Sequence, residues 1–178
     1  GPLAALTVAG TISGWGKAKE IAESWGGKMP LDRLIADAVA YAKGGVAVTE
    51  GQVRNTVDKL PEMGPAIGFT DVYTPNGSVP NVGDVFRQPR LSATLEQIGR
   101  AGTEDFYRGE LGQAIAADLA AVGSPVHGGD LTAHQAKAVT PLSLRVGDAT
   151  VYNMRPPTQG LASLLILGAF DRMKCAEA

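Results

Sequence analysis

The sequence predicts an α+β chain that is mostly helical, and two observations carry this expectation. Apolar residues recur at three- and four-residue spacing through most of the chain up to Val122, whereas two alternating apolar and polar runs flank Gly147-Asp148. A length of 178 residues suits one domain that buries about two-thirds of its unfolded surface. The expected organisation is therefore a single fragment over 1–178, loop-rich over 61–89, with a β-hairpin across 142–153.

Leu3 to Val8 reads as a short buried strand, and Gly10 and Gly14 bracket a turn into a helix. In that helix Ile12, Trp15, Ala18, Ala22 and Trp25 share one face, which predicts that both tryptophans are buried in the core. Gly26-Gly27 ends it. Pro30 and Asp32 begin the next helix, whose stripe runs through Leu31, Leu34, Ile35, Val39 and Ala42 to Gly44-Gly45. A further helix is expected over residues 52–60, and the Gly-, Pro-, Asn- and Asp-rich stretch to Pro89 is expected to be mostly loop.

Leu91, Leu95 and Ile98 mark another helix. Thr103, followed by Glu104 and Asp105, reads as the N-cap of a helix that continues through Leu111, Ile115, Leu119 and Val122 and stops at Gly123. Asp130 is expected to cap a short turn. Leu142, Leu144 and Val146 alternate with Ser143 and Arg145, and beyond Gly147-Asp148 the alternation resumes through Asn153, as in a hairpin. Arg155-Pro156-Pro157 stops the second strand, and Thr158 is placed to cap a helix that is apolar nearly all round from Leu161 to Phe170. Such a helix is expected to be covered on several sides. Little sequence remains after it, so a partner chain is expected to supply the cover.

Composition is that of an ordinary globular chain, with 44% hydrophobic and 19% charged residues and a net charge of −2. Lys17, Lys19 and Lys28 are interleaved with Glu20 and Glu23, which reads as a solvated face and not as a nucleic-acid footprint. The apolar run at Leu161 to Phe170 is about half of what a bilayer requires, so no membrane role is expected. The first residues lack the pattern of a signal peptide, so any export signal is expected to have been removed. Compartment stays open between periplasm and cytoplasm, because the single cysteine, Cys175, does not separate them.

Familiar site patterns fail on spacing. Before Gly27-Lys28 a P-loop needs a glycine where Ala22 stands, and Met29 replaces the hydroxyl that should follow. Ser13 is not central between Gly10 and Gly14, as a nucleophile elbow requires. His127 and His134 do not share a helical face and Cys175 is alone, so neither a metal nor another cofactor is expected. Both histidines read as surface or loop residues. Glu104 and Asp105 are adjacent and point apart on a helix, so capping explains them better than paired catalysis.

Ala9-Gly10-Thr11-Ile12-Ser13-Gly14-Trp15 resembles the Pro-Gly-Thr-x-x-Gly-Trp/Phe motif of γ-glutamyltransferases, and Met29-Pro30-Leu31 resembles their Leu/Met-Pro-Leu segment. Arg87 to Leu95, Phe106-Tyr107-Arg108-Gly109 and Gly128 to Thr132 are similar, in the same order, to further stretches of that family. Asn153-Met154-Arg155-Pro156-Pro157-Thr158-Gln159-Gly160 resembles its Pro-Pro-Pro-Ser-Ser-Gly-Gly loop. Ala9 replaces the usual Pro, and Arg155 with Thr158-Gln159 replaces Pro and Ser-Ser. The second departure points to a γ-glutamyltransferase-like subgroup that includes cephalosporin acylases.

The resemblance implies a mostly helical part of the larger subunit of an N-terminal-nucleophile hydrolase, an αββα sandwich completed by a partner chain. That partner is the smaller subunit, cut from the same precursor and beginning with the nucleophilic threonine; the remaining part of the larger subunit is also needed. A small-molecule γ-glutamyl or related acyl-amide substrate is implied. No Thr-Thr pair of the kind found at the family's cleavage point occurs, and the family's carboxylate-holding arginine lies before the Gly-Thr motif, so no catalytic residue is carried over. Only Thr158, Gln159 and Gly160 are expected beside the pocket. A glutaryl-cephalosporin acylase is the alternative activity, and a scaffold that kept the fold without the nucleophile is the alternative class.

Overall fold

The chain was analysed as a computed structural model, which describes residues 6–173. It is α+β and mostly helical, and it divides into a unit ending at Ala136 and a second unit beginning at Lys137.

In the first unit the helices are α1 (Thr11–Ser24), α2 (Leu31–Leu34), α3 (Ala36–Gly44), α4 (Glu50–Met63), α5 (Phe69–Tyr73), α6 (Pro89–Ala101), α7 (Asp105–Arg108), α8 (Glu110–Ala121) and α9 (Gly128–Ala133). Its core centres on Ile35, Leu95 and Ile98, with Ile12, Leu31, Val39, Phe106 and Leu111 packed around them. The regular stripe of α6 explains this: Leu95 and Ile98 fall on one face, which α2 and α3 cover. Two short antiparallel strands, β1 (Val46–Ala47) and β2 (Val85–Phe86), pair across the intervening α4 and α5. At Gly45 the chain leaves α3 with φ of 94°, and a Cβ there would lie 2.5 Å from the Val85 side chain. Both facts require glycine where β1 meets β2.

Several sequence expectations change here. Leu6 to Val8 form no strand, and residues 3–5 lie outside the described region. The Ala9 carbonyl is taken instead by the Tyr107 hydroxyl, which removes it from any ladder. Trp25 follows the end of α1 and is 83% exposed, while Trp15 is also exposed, so α1 meets the core cluster through Ile12 and not through its tryptophans. The stripe from Leu31 to Ala42 is broken at Ile35, whose φ of −101° and ψ of 2° separate α2 from α3. Ile35 is buried, and the break sets it into the core between two short helices. Most residues from Pro61 to Pro89 are in turns and loops, with the end of α4, all of α5 and β2 set among them.

Thr103 caps nothing. The helix expected after it is interrupted at Gly109, whose extended backbone ends α7 and starts α8. The carboxylate of Asp105 spans the break, accepting from the Glu110 N–H at 2.9 Å and from Gln97 Nε2 at 2.9 Å. Asp130 does cap its short turn, from the third position of α9, where its carboxylate accepts the N–H of His127 at the N-cap at 3.0 Å.

The second unit is a hairpin with one helix laid on it. Strands β3 (Leu142–Val146) and β4 (Ala149–Asn153) pair antiparallel in the register Leu144 to Val151 and Val146 to Ala149, closed by Gly147-Asp148. Helix α10 (Gly160–Arg172) packs on both strands, with Leu164 buried and Gly168 against the Leu144 side chain. Asp171 accepts the Gly147 N–H at 3.2 Å and ties the helix end to the hairpin turn. Within this chain the hairpin covers one side, and Leu165, Ile166 and Phe170 are left 64%, 68% and 56% exposed. A two-stranded hairpin is wide enough to cover only one side of a helix.

Candidate functional site

The loop between β4 and α10 is the segment that sequence places beside a pocket, and its geometry follows from its residue types. Pro156 and Pro157 cannot donate to a strand ladder, so β4 ends at Asn153. The Pro156-Pro157 peptide is cis, and the Thr158 N–H donates to the Arg155 carbonyl at 3.3 Å, closing a turn. The Thr158 hydroxyl lies 3.1 Å from the Arg155 carbonyl and 3.3 Å from that of Met154, to which it can donate. Its oxygen accepts the Gly160 N–H at 3.3 Å. Thr158 therefore caps the start of α10 as expected, although Gln159 is the residue at the N-cap position.

Gly160 is buried against the strand end. A Cβ at this position would stand 2.1 Å from the Met154 carbonyl oxygen and 2.8 Å from Asn153 Oδ1. No side chain fits there without moving the backbone, so the glycine fixes how closely the loop folds onto β4. Gln159 differs from both neighbours. Like Thr158 it is exposed, but among the described residues its side-chain amide makes no hydrogen bond; only its backbone carbonyl is engaged, by the Ser163 N–H at 3.0 Å and the Ser163 hydroxyl at 3.2 Å.

The other sequence candidates are in the first unit and do not converge on one chemistry. Glu104 pairs with Arg108, whereas Asp105 is held by Gln97 and the start of α8, so the two adjacent carboxylates serve different partners. His127 is exposed and lies 3.3 Å from Asp130. His134 is in the loop that follows α9, where its ring leans on Tyr107 at 5.2 Å and its Nε2 is buried without a partner among the described residues. Ser13 Oγ accepts the Ala136 N–H at 2.6 Å and is thereby occupied. Next to it, a cleft of about 350 Å³ is lined by Ser13, Lys17, Glu20, Thr103 and Gln135, and its Lys17 is paired with Glu20. Among the described residues no group of three His, Cys, Asp or Glu side chains is placed to share a metal ion, and no helix is long and apolar enough to cross a membrane. Cys175 lies outside the described residues.

Tyr107 is the residue whose importance sequence reasoning missed. It is 2% exposed, and its hydroxyl donates to the Ala9 carbonyl at 2.6 Å while accepting the Ser13 N–H at 3.0 Å. A tyrosine inside the Phe-Tyr-x-Gly stretch was the available signal, since a buried tyrosine normally needs a polar partner.

The family model described as gamma-glutamyltranspeptidase matches residues 1–178. An oxamate amidohydrolase proenzyme of Klebsiella pneumoniae is 46% identical over 179 residues, covering 100% of this chain and 34% of that protein. The chain thus spans about one third of the length of such curated relatives. In three dimensions it is similar to a gamma-glutamyltranspeptidase from Pseudomonas nitroreducens complexed with L-DON, with a TM-score of 0.84, 29% identity and coverage of 98% of this chain and 50% of that one. A cephalosporin acylase from Bacillus halodurans is similar with a TM-score of 0.74 and 28% identity, over 81% of this chain and 28% of that one. With the family model matched from end to end and the same fold in solved members, this chain belongs to the gamma-glutamyltranspeptidase family.

Proposed function

We propose that this chain is part of the larger subunit of an amide-bond hydrolase or acyltransferase whose nucleophile, an N-terminal threonine, stands on a smaller chain of the same precursor. The observation that carries the reading is the end-to-end family match of a chain spanning about one third of relatives that are themselves proenzymes. The chemistry is self-consistent. The α-amine of such a threonine has a pKa near ~8, so it acts as general base for its own hydroxyl close to neutral pH. Backbone amides then hold the oxyanion of the tetrahedral intermediate.

In this reading the described helices and hairpin form one portion of an αββα sandwich, and the remaining larger-subunit residues with the smaller chain complete it. The loop at Thr158, Gln159 and Gly160 borders the acyl pocket. Identity to an oxamate amidohydrolase favours a short amide that carries its own carboxylate over a γ-glutamyl peptide. The glutaryl-cephalosporin reading draws support from the fold shared with the acylase.

Intact mass spectrometry of the product of the complete gene tests the proposal. The expected result is two polypeptides, the smaller beginning with Thr, in a preparation that releases ammonia from oxamate. A single uncleaved polypeptide without amidase activity contradicts it.

A further inference from the structure

The connection from α5 to β2 has a fastened base and a loose tip. Tyr73 of α5 stacks on Phe86 of β2 with ring centroids 6.0 Å apart, and buried Thr74 donates its N–H and its hydroxyl to the Thr70 carbonyl at 2.9 and 3.0 Å. Beyond it Pro75, Asn76, Gly77 and Ser78 are all exposed. Among the described residues the tip is closed by one hydrogen bond, from the Gly77 N–H to the Thr74 carbonyl at 2.8 Å, and the Asn76 side chain bonds nothing. A lone exposed bond of this kind contributes little net and exchanges readily with water.

The chain's other three asparagines are placed differently. Asn55 lies inside α4 and is followed by the β-branched Thr56. Asn81 is followed by Val82, and its side chain donates to Asp84 at 3.3 Å. Asn153 ends β4, is followed by Met154, and accepts the Met154 N–H on its Oδ1 at 2.8 Å. Only Asn76 combines a free side chain with a following glycine, and Gly77, at φ of 77°, has no Cβ to shield its backbone nitrogen.

We propose that Asn76 is a site of spontaneous modification, converting to aspartate and isoaspartate through a cyclic imide. The Gly77 backbone nitrogen attacks Asn76 Cγ; as the new N–Cγ bond forms, the Cγ–Nδ2 bond breaks, the attacking nitrogen's proton passes to the leaving group and ammonia departs. Water then opens the imide. Cleavage between the nitrogen and Cγ gives aspartate, whereas cleavage at the backbone carbonyl carbon routes the chain through the former side chain and gives isoaspartate. Water is the only co-reactant, and no oxidant or cofactor enters. Either product adds a negative charge at the tip, while the Tyr73–Phe86 stack and the Thr74 bonds hold the base in place.

The test ages the complete protein at neutral and at mildly alkaline pH, then digests it and reads each asparagine by mass spectrometry, with isoaspartyl methyltransferase labelling for the rearranged product. Asn76 is expected to gain about one dalton and to yield both products. Conversion at Asn55, Asn81 and Asn153 should be at least about tenfold slower, and Gly77→Ala should slow conversion at Asn76 by about tenfold, because a Cβ then crowds the attacking nitrogen. The rate at Asn76 should also rise with pH, since that nitrogen must lose its proton, and this reading needs no variant. Conversion at Asn76 no faster than at the other three asparagines, an unchanged rate in Gly77→Ala, or a rate that does not rise with pH overturns the inference. None of these outcomes bears on the proposed amidase activity.

Discussion

The Tyr107 hydroxyl donates to the carbonyl of Ala9 at 2.6 Å, joining α7 to the chain just before α1 across almost a hundred residues of sequence. The same oxygen accepts the Ser13 N–H at 3.0 Å, so one buried side chain satisfies two backbone groups at the start of α1. Tyr107→Phe keeps the ring packed on Phe106 and His134 but strands both groups. The expected loss is about 1–3 kcal/mol, read as a lowered melting temperature of the assembled protein. An unchanged melting temperature would show that water replaces the hydroxyl without cost.

Gly160→Ala should be worse tolerated than an ordinary glycine substitution. The new Cβ would lie 2.1 Å from the Met154 carbonyl oxygen, which is backbone and cannot swing aside. We expect a loss of about 2–3 kcal/mol together with displacement of the loop. Gly14→Ala in the interior of α1 is the control: its Cβ would meet nothing within 4 Å, and it should stabilise by about 0.5–1 kcal/mol. Equal effects of the two substitutions in thermal melts would remove the steric argument.

The outer side of α10 is expected to be an assembly surface. Leu165, Ile166 and Phe170 are largely exposed, and burying each is worth about 1.5–3 kcal/mol. Residues 1–178 prepared alone should therefore bind a hydrophobic dye and associate, and Ile166→Lys should reduce that association while blocking assembly with the rest of the precursor. A monomeric preparation with a sharp unfolding transition and no dye binding would contradict this.

Metal removal should change nothing. His127 is engaged with Asp130, His134 leans on Tyr107, and no ligand group of three forms among the described residues. Dialysis of the complete protein against a chelator is expected to leave melting temperature and turnover as they were. Loss of either, with recovery on adding zinc or calcium, would refute the expectation.

What could be read from sequence was local. The hairpin was legible because Leu142, Leu144 and Val146 alternate across a Gly-Asp pair, and periodicity of two needs no knowledge of what lies beyond the strand. The stripe of α6 was legible for the same reason, since Leu95 and Ile98 fall on one face whatever covers it. Burial was less legible. Trp15 and Trp25 have the spacing of a core face, but whether a face is covered depends on elements distant in sequence. The break at Ile35 and the Asp105 bridge to α8 are tertiary compromises that no propensity marks. At the candidate site, sequence picked out Thr158 to Gly160 through a family likeness, and only coordinates separate the committed hydroxyl of Thr158 from the free amide of Gln159.

We propose that this chain takes part in amide hydrolysis while the nucleophile resides on another polypeptide. The most direct measurement is turnover of oxamate and γ-glutamyl-p-nitroanilide by purified residues 1–178, before and after co-refolding with the remainder of the precursor. No turnover is expected from the chain alone, and hydrolysis once the threonine-bearing chain is present. Hydrolysis by the pure chain, or none after full reconstitution with a correctly cleaved partner, would contradict it.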